Sequence, residues 1–338
     1  MHIITQTHDE YQGMSWQQIL AQSVKTVAEL ITQLALDTSQ IERTLRTKLA
    51  FPLLVPPTFV ARMQKGDWND PLLRQILPVQ HELQQVEGFG VDPLGEQVTN
   101  VQKGIIHKYR GRVLLIAASG CAINCRYCFR RHFPYQENRV GREQWQHQLQ
   151  YIAEDSSISE VILSGGDPLM LSDSALAELL EQIAAIPHVR RFRIHSRLPV
   201  VIPQRLTDEL LTLLQRSRLK TTLVLHVNHP QELSTEHAKR LPIWHRSGIH
   251  LLNQSVLLKD INDCAEVLIE LSERLFELDV LPYYLHVLDR VQGAHHFEVA
   301  EIQAKQLHQQ LLANLPGYLV PKLVREIAGE PNKTPLQG

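Results

Sequence analysis

Val113-Leu-Leu-Ile-Ala-Ala-Ser-Gly-Cys121-Ala-Ile-Asn-Cys125-Arg-Tyr-Cys128 joins a short apolar run to a loop carrying three of the chain's four cysteines. A run of this length, bounded by glycine, has the pattern of a buried strand. Three thiolates on one short loop can bind three corners of an iron–sulfur cube, leaving the fourth iron open to a small molecule. The competing reading is a zinc site made from Cys121, Cys125, Cys128 and His132. Cys264 lies far from the loop, and its simplest reading is a half-buried helix thiol without a role.

Outward from this stretch the pattern repeats. Further β-rich runs are Val161–Ser164, Phe192–His195, Thr221–Val227, His250–Leu257, Leu281–Leu288 and a weaker Tyr318–Val324. Helical stretches at Ala175–Ile186, Asp208–Gln215 and Ala265–Leu278 lie between them. In the last, Leu268, Leu271, Leu275 and Leu278 form a stripe that reads as core packing. Strand–helix alternation predicts a parallel α/β sheet, and six or so units suit an incomplete (β/α)6-type barrel. The cysteines, Gly165-Gly166-Asp167, Ser196-Arg197, Asn228-His229 and Asp289 each follow a run. In a parallel barrel these positions share the face at the C-terminal strand ends, where barrel enzymes place their chemistry.

The first hundred or so residues read as helical. Ser15 and Gln18 form a capping-box pattern, and Ile19, Val24, Val27, Leu30, Ile31 and Leu34 recur at helical spacing. A second helix is expected near Ile41–Leu49, and prolines 52, 56 and 57 cut the chain beyond it into short pieces. The expected organisation is an N-terminal helical region over 1–105, a partial barrel over 106–316 and a C-terminal segment over 317–338. The chain has 338 residues, 43% of them hydrophobic, and a formal net charge of −2, so no global positive field favours nucleic acid. No signal-peptide pattern or membrane-length apolar run is visible, which predicts a cytoplasmic protein with no membrane partner. Clustered cysteines in such a chain point to metal binding rather than disulfides.

The C-x3-C-x2-C spacing, with the aromatic Tyr127 before the last cysteine, resembles the signature of radical S-adenosylmethionine (SAM) enzymes. Gly165-Gly166-Asp167 resembles the glycine-rich segment that meets the SAM amino group there, with Asp167 accepting from the ammonium. Read alone, the triplet is also a plain turn. From about His107 to Pro335 the chain is similar to the lysine 2,3-aminomutase family. The likeness rests on His107-Lys-Tyr-Arg-Gly-Arg112-Val-Leu, Cys128-Phe-Arg130-Arg131, Ser164-Gly-Gly-Asp-Pro168, Ser196-Arg-Leu-Pro-Val200, Asn228-His-Pro230, Asn253-Gln-Ser-Val-Leu-Leu258 and Lys333-Thr-Pro335. The run from Cys125 to Tyr135 and the close spacing of Gly317-Tyr-Leu-Val-Pro-Lys322 to Lys333 resemble the short bacterial branch that serves translation elongation factor P.

The resemblance implies an isomerase that converts L-lysine to β-lysine of the R form. It implies a [4Fe–4S] cluster on Cys121, Cys125 and Cys128, SAM, and pyridoxal 5′-phosphate (PLP) held by Lys333 in the C-terminal segment, with Lys322 as the rival lysine. It places Lys108 and Arg112 at the PLP phosphate, and Tyr127, Gly165, Gly166, Asp167, His226 and Gln254 around SAM. Arg130 would clamp the substrate carboxylate bidentately, while Asp289 and Glu326 would meet the ε-ammonium. Glu326 stands where the family usually has aspartate, and the loop before Lys333 keeps only Gly329 of a richer glycine run. The implied partners are an elongation factor P ligase that takes the product and an electron donor such as flavodoxin. The family's larger members carry C-terminal cysteines for zinc that have no counterpart here, so no structural zinc is expected. An aminomutase for glutamate or another amino acid, or a non-catalytic metal-binding module, are the alternatives. The acidic pair Asp289/Glu326 argues against glutamate by like-charge repulsion.

Overall fold

The computed structural model describes residues 11–41, 51–134 and 145–336. Ten strands form one sheet in strictly sequential order. They are β1 (Asn100–Gln102), β2 (Ile105–Tyr109), β3 (Arg112–Ala118), β4 (Glu160–Gly165), β5 (Arg191–Ser196), β6 (Lys220–Leu225), β7 (His250–Val256), β8 (Leu281–His286), β9 (Lys322–Arg325) and β10 (Thr334–Pro335). Every pair from β3 to β9 is parallel, with antiparallel additions at both edges. The order runs from edge β1 to edge β10 without closing, so the molecule is an incomplete α/β barrel.

The expected runs become β3 to β8, and the weaker seventh becomes a three-residue turn, Gly317–Leu319, followed by the short strand β9. Val161, Leu163, Phe192, Ile194, Leu223 and Leu225 are buried. Helices cover the outer face of the sheet, so the central strands read as near-continuous apolar runs. The helix Ala265–Glu277 buries Leu268, Leu271 and Leu275, as its stripe requires. β2 and β3 meet through Arg110-Gly111, where Gly111 takes φ 78°, a conformation that suits a tight hairpin.

The N-terminal region differs from the expected long helices. Ser15 does cap a helix, with Gln18 Oε1 accepting from Ser15 N at 2.8 Å, but that helix stops at Ala21. Ser23 Oγ donates to Leu20 O, Val24 leaves to make an antiparallel bridge with Val55, and Thr26 with Glu29 begins a second capped helix, Val27–Gln33. The helical spacing of Ile19 to Leu34 thus spans two helices, because a second capping box interrupts it. Prolines 56 and 57 start a single helical turn, and Asp70 with Pro71 starts another. The helix expected near Ile41–Leu49 falls outside the described residues except for Ile41. Trp16, Ile19, Phe59 and Leu72 share one buried apolar cluster with Val161, Leu176 and Leu223, so the N-terminal pieces are packed onto the barrel.

Candidate active site

The C-terminal strand ends enclose a cavity of about 570 Å³. This is the scale of small-molecule sites, about 300–1,000 Å³. Each candidate site residue lines it: Cys121, Cys125, Tyr127, Cys128 and Arg130 from the loop after β3; Gly165, Gly166 and Asp167 after β4; His226 after β6; Gln254 on β7; Asp289 after β8; Glu326 after β9; Lys108 and Arg112 from β2 and β3; and Lys333 before β10. The rival Lys322 is exposed and absent from the lining.

The cysteine loop is pinned from below. Asn124 N donates to Leu54 O (3.1 Å) and Arg126 N to Gln75 O (2.9 Å). Arg126 and Arg131 both turn inward to the buried Glu82, Arg131 Nη2 at 2.5 Å. Both arginines are therefore structural. Burial, with Cys125 close by, pushes the Cys128 thiol up to about 11, and burial also raises Cys121. Such thiols become thiolates when a metal takes the proton's place. Among the described residues no three such side chains converge on one ion position. A cube spreads its irons over separate corners, so thiols distributed along one cavity wall suit a cluster better than a single zinc.

Gly165 and Gly166 serve a close backbone approach. A Cβ on Gly165 would lie 2.7 Å from Ala118 O, and one on Gly166 would collide with the backbone of Gly120. The glycines thus pack β4 against the start of the cysteine loop. The Asp167 side chain is bonded within the chain. Its Oδ1 accepts from Ser196 Oγ (2.6 Å) and Leu169 N (3.0 Å), and its Oδ2 from Arg197 N (2.8 Å) and Leu198 N (2.7 Å). Four protein donors occupy the lone pairs that a SAM ammonium would need, so this carboxylate ties the end of β4 to the end of β5.

Arg130 too is bonded within the chain. Its Nε and Nη2 grip Glu96 bidentately at 2.7 and 2.9 Å, while Nη1 reaches Ser164 Oγ at 2.9 Å and Gly165 O at 3.3 Å. The guanidinium lies at the cavity wall as expected, but its fork is closed by a carboxylate of the chain.

At the other end, Lys333 Nζ lies 2.5 Å from Glu326 Oε2 and 5.7 Å from the centroid of the Tyr284 ring. It is not in a frayed tail, because Thr334 and Pro335 pair with Arg325 and Val324. Lys108 Nζ approaches the other oxygen of Glu326 at 2.9 Å and Glu96 at 3.5 Å, and Arg112 lies over the Tyr109 ring. Burial opposes ionisation of Glu326, but Lys333 and Lys108 outweigh it and hold the carboxyl far below its usual range. Burial and the Glu326 charge push Asp289 up to about 7. His195 and His286 are held neutral by burial, well below the usual histidine value. His195 Nε2 and Arg197 Nε, both on residues of the lining, are buried without a hydrogen-bond partner among the described residues. Orphaned polar atoms of this kind mark a cavity shaped for polar guests.

Several residues here carry no local sequence signal. Glu96, Gln75 and Glu232 reach the site from distant segments. Glu96 meets Arg130 and Lys108, while Arg197 meets Gln75 and Glu232 in a buried network with Tyr127, whose ring stacks on His226 at 5.7 Å. Burial and Arg197 lower His226 to about 3. Cys264 is exposed rather than half-buried, just ahead of the helix Ala265–Glu277.

Residues 115–270 match the family model "Radical SAM superfamily". Proteins named L-lysine 2,3-aminomutase are 48% identical in Haemophilus influenzae, over 99% of both chains, and 50% identical in Escherichia coli, over 95% of this chain and 94% of that one. A protein of the same name from Clostridium subterminale is 33% identical over 95% of this chain and 77% of its own. With such identity along nearly its whole length, this chain belongs to the lysine 2,3-aminomutase family of radical SAM isomerases, whose cofactors are a [4Fe–4S] cluster, SAM and PLP.

Proposed function

We propose that the chain converts L-lysine to (R)-β-lysine, with Lys333 as the PLP lysine and Cys121, Cys125 and Cys128 as the cluster ligands. The observation that carries this reading is the convergence of Lys333, Asp289 and Glu326 at one end of a cavity whose other end is the cysteine loop. When bound, the cluster and SAM supply a radical able to take hydrogen from unactivated carbon, and PLP supplies a π-system that stabilises the resulting substrate radical.

The residues of the chain then bind and orient. Asp289 and Glu326 accept the ε-ammonium of lysine. A neutral or acidic side chain would leave both carboxylates without a counter-charge. Arg130, held at the cavity wall by Glu96 and Ser164, supplies the positive charge for the α-carboxylate. Lys108 and Arg112 face the PLP phosphate, and Lys108 leaves Glu326 to do so. Tyr127, His226 and Gln254 border SAM, as do Gly165 and Gly166 through the backbone. Lys333, paired with Glu326 in the cofactor-free chain, gives up that contact when PLP engages its Nζ. Glu326 is thereby released toward the substrate.

We assign the product to the modification of elongation factor P in the cytoplasm, with a ligase as acceptor and a flavodoxin-type protein as electron donor. The support is the likeness of the run Cys125 to Tyr135, and of the close spacing of Gly317–Lys322 to Lys333, to that branch. No helix among the described residues is long and apolar enough to cross a membrane.

The test is an anaerobic incubation of reconstituted protein with L-lysine, SAM, PLP and dithionite, with products resolved by chiral chromatography. The expected result is (R)-β-lysine, falling below detection in Cys125→Ala and Lys333→Ala. Deoxyadenosine without β-lysine would refute the substrate, and neither product from cluster-loaded protein would sink the reading.

A further inference from the structure

Arg197 opens the single helical turn Leu198–Val201 just past β5, and its backbone N–H is fixed by Asp167. Its side chain is almost wholly buried and bridges two groups. Nη1 lies 2.6 Å from Cys125 Sγ and also donates to the Tyr127 hydroxyl. Nη2 reaches Gln75 Oε1 at 2.6 Å and Glu232 Oε2 at 3.1 Å. Glu232 is fully buried, and its Oε1 accepts from Gln75 Nε2, Asn228 N and His229 N. Arg62 packs behind it, its Nη1 donating to the Glu232 carbonyl. A cation is thus clamped against one cluster-loop sulfur by a carboxylate on its far side.

We propose that Arg197 is a positioning residue that sets the reduction potential of the cluster, with Glu232 as its counter-charge. The inference rests on the assignment of Cys125 as a cluster ligand. When the cluster takes one electron from an external low-potential donor, one negative charge is added to the cube, and no bond to Arg197 forms or breaks. A guanidinium on a ligand sulfur stabilises that added charge, and a water-poor surround strengthens the effect. Arg197 therefore raises the potential, while the negative charge of Glu232 moderates the rise. The fork geometry matters as well, since one nitrogen serves the sulfur while the other holds the carboxylate.

The experiment is an EPR-monitored redox titration of reconstituted, SAM-free protein, with iron per chain and far-UV circular dichroism measured alongside. In Arg197→Gln the reduced-to-oxidised ratio at a fixed potential should fall about tenfold, a shift of about 59 mV for a one-electron couple. Arg197→Lys keeps the charge and should shift less. Glu232→Gln should move the potential in the opposite direction. An unchanged potential in Arg197→Gln with its cluster intact would overturn the inference, as would a fall in both Arg197→Gln and Glu232→Gln. If Arg197→Gln loses its cluster or its fold, Glu232→Gln decides alone: a rise supports the inference and no change overturns it. Wild-type protein that binds no cluster would instead refute the cysteine assignment.

Discussion

The two ends of the cavity handle charge differently. Behind the cysteine loop, Glu232 accepts four hydrogen bonds, two from backbone N–H groups and two from Gln75 and Arg197. Each of these partners belongs to the chain, and the Glu232 carboxylate is satisfied by them. At the Lys333 end, Glu326 and Glu96 pair with Lys108, Lys333 and Arg130, and burial together with the Glu326 charge displaces the Asp289 carboxyl to about 7. The first arrangement is scaffold. The second is a cluster of opposed charges at the end where, on the proposed reading, cofactor and substrate would bind.

The largest effect that separates the two ends is on stability. Glu232→Ala removes the only carboxylate between Arg62 and Arg197 among their described contacts. It leaves two buried guanidinium groups without a counter-charge, which costs about 3–5 kcal/mol. Urea unfolding of the cofactor-free protein would register that loss. A cost below about 1 kcal/mol would mean that the cysteine end is no more rigidly specified than the other.

Asp289→Asn should act in the opposite sense and only over part of the pH range. The ordinary value of an aspartate is 3.8 and the folded value is about 7, so between these the folded state holds more protons than the unfolded state. Stability of the wild type therefore falls as pH rises from about 4 to about 7, by about 1.36 kcal/mol for each unit of displacement that survives solvent screening. The asparagine variant lacks this slope. It should match the wild type at pH 4 and exceed it at pH 8, as measured by denaturation midpoints across that range. Parallel profiles for the two proteins would show that Asp289 ionises without strain, and the contrast between the ends would fail there.

How much of this is visible before folding depends on the range of each interaction. β3 to β8 were legible because central parallel strands are apolar on both faces and end where polar residues begin. For the same reason the site residues at strand ends could be placed on one face. The break between Ala21 and Val27 was harder to see, because the apolar spacing continues through it while the decisive cap at Thr26 is a local polar signal. The pairing of Arg126 and Arg131 has no local signal, because Glu82, their partner, lies more than forty residues earlier in the chain. Glu96 closing the fork of Arg130, and Glu232 behind Arg197, have the same character. A glutamate in a sequence carries no mark of the arginine it will meet: packing of the N-terminal pieces onto the barrel delivers Glu82 and Glu96, and the adjacency of two strand ends delivers Glu232.

The smallest expected effect concerns Glu326, where this chain departs from the aspartate usual in its family. One carboxylate serves both Lys333 at 2.5 Å and Lys108 at 2.9 Å, and its longer side chain lets each oxygen reach a different lysine. Glu326→Asp keeps the charge but shortens the reach by one methylene, so one of the two contacts weakens while the pairing with a substrate ammonium survives. KM for lysine should then change by less than about threefold, under about 0.7 kcal/mol of binding. Glu326→Gln removes the charge and should raise KM by about tenfold or more. Steady-state kinetics of both variants discriminate charge from length. If Glu326→Gln leaves KM unchanged, Asp289 alone binds the ammonium, and Glu326 belongs to the cofactor lysines rather than to the substrate.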